Sequence, residues 1–290
     1  MAIFLTGATG YIGSAVLTAL RAQGREVTAF VRDEARAAVV RAAGATPVLG
    51  SLTDREIVTH AAQESDGVIH LASPGDESSA PTDDTFVSAV FAGLEGSDKP
   101  YVHTSGIWLF GSSSSITESS PLDPPALTSW RVPIESRVRS ASGIKTTIIA
   151  PGIVFGHGGG IPNLVTTAPV VDGALSLVGP GTQHWTTVHV DDLAELYVLA
   201  YDLAAAGSFY IGASGENPTV ESLGTAAAAA AGLSGVVPTS IDAVHERLGV
   251  EFGDALLLDQ QATGSAARID LGWEPNGPTL VEELRAGYGA

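Results

Sequence analysis

The chain has 290 residues and a formal net charge of −18, and charged residues make up only 16% of it. Lysine and arginine together number 14, and basic patches are what hold nucleic acid, so the composition argues against a nucleic-acid partner. The sequence contains no cysteine, which rules out disulfides and thiolate metal sites, and we predict no metal. No apolar run reaches membrane-spanning length, so we expect a cytoplasmic protein without a membrane partner.

The first residues predict a strand, a glycine-rich turn and the start of a helix. Residues 2–6 form a short apolar run, Gly7, Gly10 and Gly13 follow at G-x-x-G-x-x-G spacing, and residues 11–23 carry apolar positions at helical spacing. A glycine turn in this context is typical of a dinucleotide site. Gly7 permits the tight turn, Gly10 lets the backbone approach a pyrophosphate, and Gly13 lets the helix pack closely on the strand. The helix N-terminus then offers N–H groups to the phosphates.

Strands and helices are predicted to alternate as far as about residue 155. We predict strands at residues 26–31, 46–49, 67–72, 100–104 and 145–150, with helices at 33–43, after 54, at 84–94 and near 128–141. This alternation predicts an α/β fold with a doubly wound parallel Rossmann sheet, whose ligands bind at the carboxyl ends of the strands. His70, inside a buried strand, is interpreted as a core histidine.

The later part of the chain predicts a second, smaller C-terminal substrate lobe. After Phe155 the simple alternation is lost, and a helix beginning near Val220 contains the alanine run 226–231. The predicted bounds are residues 1–155 and 183–212 for the dinucleotide-binding domain, and residues 156–182 and 213–290 for the smaller lobe.

Five short segments carry a resemblance to a known family. They are residues 6–13, 68–72, 151–156, 188–194 and 271–275. With these segments in this order the chain resembles the extended short-chain dehydrogenase/reductases, which include sugar-nucleotide epimerases and dihydroflavonol-type reductases. The resemblance covers nearly the whole length and implies a nicotinamide-dependent oxidoreductase. The sequence leaves the oligomeric state open, and the family's usual assembly is a homodimer through the helices that flank the sheet.

The end of the second predicted strand indicates which nicotinamide cofactor is bound. NAD-preferring enzymes place an acidic residue here, whereas this chain has Val31 followed by Arg32, whose guanidinium suits a 2′-phosphate. Arg36, one helical turn on, supplies a second contact, so we predict NADP(H). The resemblance implies further cofactor contacts from Thr9, Tyr11, Ile12, Ser51, Leu52, Leu71, Ala72, Ser73, Thr104, Pro151, Ile153 and Val154.

The family's acid–base residues are missing from their usual positions. The family uses a serine and a tyrosine four residues before a lysine, which lowers the phenol pKa. Here Trp130 takes the tyrosine position, Ile134 the lysine position and Gly106 the serine position. An indole N–H donates a hydrogen bond but is no proton-transfer acid. Ser105, one residue earlier, is therefore the candidate hydroxyl, and Trp130 is a candidate site residue that shapes the pocket.

Three interpretations of the function remain open. The first is an NADPH-dependent reductase of a C=O or C=N bond in a small apolar or aromatic substrate. Its proton comes from His157, His184, Ser105 or water, or is not needed because the substrate is an iminium held by cation–π contact. The second is a non-catalytic NADP(H)-binding sensor. The third, a sugar-nucleotide epimerase or dehydratase, is disfavoured because it needs a base where Trp130 stands. Candidate substrate contacts are Trp108, His157, Gln183 and Trp185, and His184 is a candidate catalytic residue.

Overall fold

The computed structural model describes residues 2–289, and its elements follow the predicted alternation of strands and helices. The strands are β1 Ile3–Thr6, β2 Val27–Val31, β3 Thr46–Leu49, β4 Gly67–His70, β5 Pro100–Thr104, β6 Ser113–Ile116, β7 Lys145–Pro151, β8 Ile153–Gly156, β9 Gly159–Gly160, β10 Val170–Val171, β11 Ala174–Ser176, β12 Thr187–His189, β13 Ser208–Gly212, β14 Gly235–Val237 and β15 Gln260–Ala262. The helices are α1 Tyr11–Ala22, α2 Glu34–Ala42, α3 Arg55–Glu64, α4 Ser79–Leu94, α5 Ala126–Ser129, α6 Arg131–Arg139, α7 Asn163–Thr166, α8 Val190–Leu203, α9 Val220–Ala230, α10 Ile241–Leu248, α11 Val250–Leu256, α12 Ser265–Leu271 and α13 Leu280–Arg285, with a 3₁₀ turn at Ile107–Phe110.

The main sheet has seven strands in the order β13-β7-β5-β4-β1-β2-β3, and all of its pairings are parallel. The chain moves outward from β1 to β3 and then returns to place β4 on the other side of β1. Doubly wound sheets bind ligands at such a reversal, outside the carboxyl ends of the strands. The predicted α/β Rossmann fold is confirmed, and the reversal directs attention to the ends of β1, β2 and β4.

Helices cover both faces of this sheet because its strands are apolar on both sides. Neighbouring residues of β1 belong to different cores: Leu5 packs in the cluster that includes residues of α1 and α8, whereas Phe4 packs in the cluster with residues of α3, α4 and α6. Both side chains are 0% exposed. This alternation of side chains between faces fixes the register of the strand that leads into the glycine turn.

The later segments form three small sheets, with strand orders β10-β11-β14, β12-β8-β9 and β15-β6. A separate buried cluster joins residues of α9, α10, α11 and α13, with Phe155, Trp185 and Leu223 among its members. The division of the chain at the predicted domain bounds stays a prediction, and Met1 and Ala290, at the outer ends of those bounds, lie outside the described residues. Between residues 2 and 289, no helix combines the length and the apolar character needed to cross a bilayer.

Two predicted elements differ from the structure for identifiable reasons. The strand predicted at 67–72 ends at His70, because the amides of Leu71 and Ala72 donate to the Thr6 hydroxyl at 3.1 and 3.2 Å. The helix predicted near 128–141 is divided into α5 and α6. Pro133 has no N–H to donate to the residue four positions earlier, so the helical hydrogen bonding is interrupted there.

Candidate active site

The turn after β1 contains three glycines. A side chain would not fit at Gly7 or Gly13, and Gly10 is exposed. Gly7 has a φ of +74°, and a Cβ on it would lie 2.9 Å from the Ala72 nitrogen. A Cβ on Gly13 would lie 2.0 Å from the Gly7 oxygen, so α1 packs directly on the turn. Gly10 precedes α1 as an exposed N-cap that offers no side-chain hydrogen bond to the first amides. These features fit a bound pyrophosphate, which needs close backbone approach and unpaired N–H groups.

A cleft of about 760 Å³ opens at the carboxyl ends of β1, β2 and β4. Most of the predicted cofactor residues line it, namely Gly7, Thr9, Gly10, Tyr11, Ile12, Gly13, Arg32, Arg36, Ser51, Leu52, Leu71, Ala72 and Ser73. Sequence reasoning did not single out the other lining residues, which include Phe30, Gly50, Thr53, Asp76, Ser78 and Thr82. Four predicted contacts lie elsewhere. Thr104 is at the end of β5, where its hydroxyl donates to the His70 oxygen at 2.6 Å, and Pro151, Ile153 and Val154 are in β7 and β8.

Two arginines, Arg32 and Arg36, line this cleft where β2 ends. Arg32 is exposed. Arg36 donates through its guanidinium to Asp33. Asp33 caps α2 by accepting the Arg36 backbone N–H at 2.8 Å. The Asp33 carboxylate is thus engaged by the start of α2 and by Arg36, while Arg32 stays exposed.

Gly10→Val is expected to weaken NADPH binding by roughly 100-fold, since lost charge-assisted hydrogen bonds cost about 1.5–3 kcal/mol. The fold should survive, because Gly10 has an extended backbone with a φ of −83° and a Cβ would meet only the Gly7 oxygen, at 3.2 Å. Fluorescence titration with NADPH measures the affinity, and circular dichroism checks the fold. The matched control is Thr18→Val, an exposed change further along α1. If Gly10→Val bound NADPH with normal affinity, this turn would not be the phosphate-binding site.

Arg131 and Glu135, at the spacing of one helical turn on α6, reach the end of β5. Arg131 Nη1 donates to the Thr104 oxygen at 2.9 Å, and Ser105 Oγ lies 3.0 Å from Glu135 Oε2. Trp130 instead donates its indole N–H to the Leu127 oxygen at 3.1 Å, with Arg131 stacked 4.5 Å from its ring centroid. Ile134, which takes the lysine position, is buried in the core beneath the sheet.

Sequence reasoning did not single out Arg131 and Glu135, although a signal was present. They are opposite charges four residues apart in a chain with only 16% charged residues. The positions that correspond to the family's tyrosine and lysine, Trp130 and Ile134, are one residue earlier. A shift of one residue turns a side chain by about 100° around a helix axis. Arg131 and Glu135, and not Trp130 and Ile134, therefore face the end of β5.

Glu135 is a buried carboxyl at the end of the sheet. It is 4% exposed, and its Oε1 atom has no hydrogen-bond partner. Burial raises the pKa of Glu135 to about 7, against the opposing effects of the Arg131 charge and the Ser105 hydroxyl. A carboxyl with this pKa exchanges its proton near neutral pH, which is the property of a general acid or base.

Asp83 is a second buried carboxyl, and its environment pushes its pKa the other way. Burial alone would raise the pKa of Asp83, but the hydrogen bond from His70 and the positive charge of Arg131 act against burial, and the pKa is lowered to about 2. Two neighbouring carboxyls with pKa values pushed apart are typical of a site that divides charge stabilisation from proton transfer. Asp83 is therefore the permanent anion and Glu135 the exchangeable acid.

His70 is a core histidine with partners on both nitrogens, as interpreted from the sequence. The Thr6 hydroxyl accepts two backbone N–H groups, so it donates to His70 Nδ1, 2.7 Å away. His70 Nε2–H then donates to Asp83 Oδ1 at 2.9 Å. His103 Nε2 lies 3.7 Å from Asp83 Oδ2, and burial lowers the pKa of His103 to about 3, which keeps it neutral.

The two candidate histidines are paired with carboxylates outside the cofactor cleft. His184 Nδ1 lies 2.8 Å from Asp259 Oδ1, between β12 and β15. His157 is exposed, and its Nε2 lies 2.9 Å from Asp191 Oδ2 at the start of α8. The structure places neither histidine in contact with Ser105, and their roles stay predictions.

Three candidate substrate residues lie within or against the second core. Trp185 is 3% exposed and donates its indole N–H to the Leu256 oxygen at 2.9 Å. Gln183 is 5% exposed and donates to the Val178 oxygen. Trp108 is half-buried, with its ring edge against Phe252. Because Trp185 and Gln183 each donate to a backbone oxygen inside the core, the structure does not support a substrate contact for them, whereas Trp108 is only half-buried.

Comparison with known sequences identifies the family. A family model described as NAD(P)H-binding matches residues 7–168. An uncharacterised protein of Schizosaccharomyces pombe is 30% identical over 298 residues, covering 98% of each chain. A 3-diazoavenalumate denitrifying reductase of a Streptomyces species is 25% identical, covering 98% of this chain and 99% of its own. The chain belongs to the NAD(P)H-binding family that this model describes.

Solved structures share the fold at low identity. A dTDP-glucose 4,6-dehydratase variant from Streptomyces venezuelae, with NAD bound, superposes with a TM-score of 0.79 at 22% identity over 98% of this chain and 95% of that one. A human epimerase family protein with NADPH superposes with a TM-score of 0.78 at 19% identity over 100% and 99% of the two chains. Members of this fold thus bind either nicotinamide cofactor.

Proposed function

We propose that this protein is an NADP(H)-dependent reductase of a C=O or C=N bond in a small apolar or aromatic substrate. The observation that carries the proposal is the cleft, where the glycine turn and two arginines line opposite ends of one site. Reductase-named relatives such as the Streptomyces enzyme support the reaction class.

Different residues of the cleft bind different parts of the cofactor. The N-terminus of α1 binds the pyrophosphate, and Arg32 with Arg36 binds the 2′-phosphate. When bound, the reduced nicotinamide supplies a hydride. Ser105 and Glu135, at the end of the strand next to β4, hold and move the proton that completes the product.

The charge of the protein supports a substrate without a phosphate. Only 14 residues are basic against 32 acidic residues, and Arg32 and Arg36 are assigned to the cofactor. A substrate diphosphate would add charge that few remaining groups are placed to balance. The half-buried Trp108, at the boundary between two buried clusters, offers an aromatic surface instead. The shortage of basic residues therefore favours a reductase of apolar substrates over a sugar-nucleotide enzyme.

Arg32→Ala is expected to weaken NADPH binding by about 10- to 150-fold and to leave NADH binding nearly unchanged. The loss corresponds to about 1.5–3 kcal/mol for a charge-assisted contact to the 2′-phosphate. Titration of both cofactors against wild type and variant measures it. Arg41→Ala, on the exposed face of α2 where Arg41 pairs with Glu34, is the matched control. Equal affinity of the wild type for NADPH and NADH would overturn the cofactor assignment.

A further inference from the structure

Ser105 lies at the edge of the sheet that faces the cofactor cleft. Strands β4 and β5 pair in parallel with His70 opposite His103. Two residues further on, Ala72 lines the cleft, and Ser105 occupies the corresponding position on the next strand. Adjacent strands lie about 4.8 Å apart, so the Ser105 backbone lies one strand away from the cleft wall, and the residue is 7% exposed.

Glu135 stands directly behind that hydroxyl and is surrounded by few other polar groups. Its Oε2 atom contacts Ser105 Oγ at 3.0 Å, while its Oε1 atom is buried without a partner. The titratable and charged groups that act on it are Arg131 and Arg139 on its own helix, Asp83 on α4, Tyr101 on β5 and the Ser105 hydroxyl. Asp83, the one carboxylate among them, opposes ionisation of Glu135, and the two arginines favour it.

The direction of the Ser105–Glu135 hydrogen bond depends on the protonation of Glu135. When Glu135 is ionised, the Ser105 hydroxyl must donate to it. When Glu135 is protonated, its own O–H donates to Ser105 Oγ, and the serine hydrogen is free to point to another acceptor. A ketone oxygen at the strand end is such an acceptor.

We propose that Ser105 is the catalytic proton donor of the reductase and that Glu135 is the positioning residue that returns a proton to the Ser105 hydroxyl. This inference rests on the proposed function. The substrate carbonyl carbon accepts a hydride, two electrons with one hydrogen nucleus, from the reduced nicotinamide. The carbon–oxygen π bond breaks, and the oxygen takes the Ser105 proton. Ser105 takes the Glu135 proton in the same step, and Glu135 then recovers a proton from water. The carbonyl is reduced to an alcohol and the nicotinamide is oxidised.

This arrangement gives the chain an acid of its own, so its substrate does not need to carry a proton. Arg131 holds the Thr104 carbonyl at the start of the same turn and thereby fixes the distance between α6 and β5. The substrate class is therefore a ketone or aldehyde, in preference to an iminium that arrives already protonated.

The kinetic test compares Ser105→Ala, Glu135→Gln and Glu135→Asp with wild type. Removal of a general acid costs about 100- to 10,000-fold, so we expect kcat on a ketone to fall by at least about 100-fold in Ser105→Ala with little change in KM. The wild-type rate should fall as pH rises through about 7, because the reaction needs protonated Glu135. Glu135→Gln should lose this pH dependence together with most of its rate, and Glu135→Asp should recover part of both. Ser136→Ala, exposed on α6, is the matched control.

A second readout does not depend on turnover. The infrared carbonyl stretch of a protonated carboxyl, recorded on the protein without cofactor, should disappear as pH rises through about 7. The band should be absent from Glu135→Gln and retained in Ser105→Ala and Ser136→Ala. Thermal unfolding of each variant checks that the fold is intact, and Ser105→Ala removes too few atoms to prevent folding.

The outcomes separate this inference from the proposed function. Ketone reduction by wild type with unchanged kcat or an unchanged pH profile in the variants would overturn the inference and leave the reductase standing. A wild-type carboxyl band that does not titrate between pH 5 and 9 would overturn it as well. If no carbonyl compound oxidises NADPH in the presence of wild type, the proposed function fails and the inference fails with it, even if Glu135 titrates.

Discussion

Gly13→Ala is expected to reduce NADPH affinity by more than about 100-fold and to destabilise the protein by about 1–3 kcal/mol, the usual cost of overpacking. The added Cβ would lie 2.0 Å from the Gly7 oxygen, 2.6 Å from the Gly7 carbon and 3.1 Å from the Ala8 nitrogen. All three are backbone atoms, so no flexible side chain can move aside. The start of α1 must shift away from the turn, and the amides that bind the pyrophosphate move with it.

Cofactor titration and thermal unfolding measure the two effects of Gly13→Ala. The matched control is Ser14→Ala, which changes the next residue of the same helix at an exposed position. If Gly13→Ala bound NADPH as well as the control does, close packing of α1 on the turn would not be what holds the phosphate site in place.

Asp83→Ala is expected to destabilise the protein by about 1–3 kcal/mol, the usual cost of leaving a buried donor without its acceptor. The change leaves His70 Nε2–H without its acceptor and removes the carboxylate beside His103. The neighbouring Asp84→Ala is the matched control. Asp84 is exposed and pairs with Arg137 at 2.9 Å, and a surface pair of this kind contributes at most about 1 kcal/mol. Chemical denaturation measures both variants, and equal effects would contradict the account.

The same residue predicts the acid sensitivity of the fold. The pKa of Asp83 is lowered from 3.8 to about 2 in the folded protein, so the unfolded chain binds this proton first as pH falls. The stabilisation is present above pH 3.8 and is lost as pH falls through about 2, which amounts to about 2–3 kcal/mol. Acid unfolding curves of wild type should contain this component, and those of Asp83→Ala should lack it.

The cofactor cleft was predictable because its signals are local in sequence. Glycine spacing, the apolar run before it and Arg32 after the second strand all lie within the first 32 residues. Each of these signals depends only on its own segment of the chain or on the adjacent strand, so the cleft can be predicted without knowing which distant residues are in contact. Ser51 and Leu52 came from the family resemblance, and the structure brings them to the same cleft.

The buried charged and titratable residues behind Ser105 were not predictable in the same way. Arg131 and Glu135 are directed to β5 by the helical phase of α6, and that phase depends on where α6 begins. Asp83 and His103 lie on separate elements and meet only through packing of α4 on the sheet. For the same reason, the local pattern of Gln183 and Trp185 did not reveal that both side chains are buried.

In the proposed function, an intact NADP(H) site serves catalysis. The most direct measurement is the loss of NADPH absorbance in the presence of wild-type protein across a panel of ketones, aldehydes, enones and cyclic imines, with Gly10→Val as the binding-deficient control. We predict that apolar or aromatic carbonyl compounds oxidise NADPH stoichiometrically with product formation, and that Gly10→Val does not support this. Tight NADPH binding without oxidation by any member of the panel would contradict the account and favour a cofactor sensor.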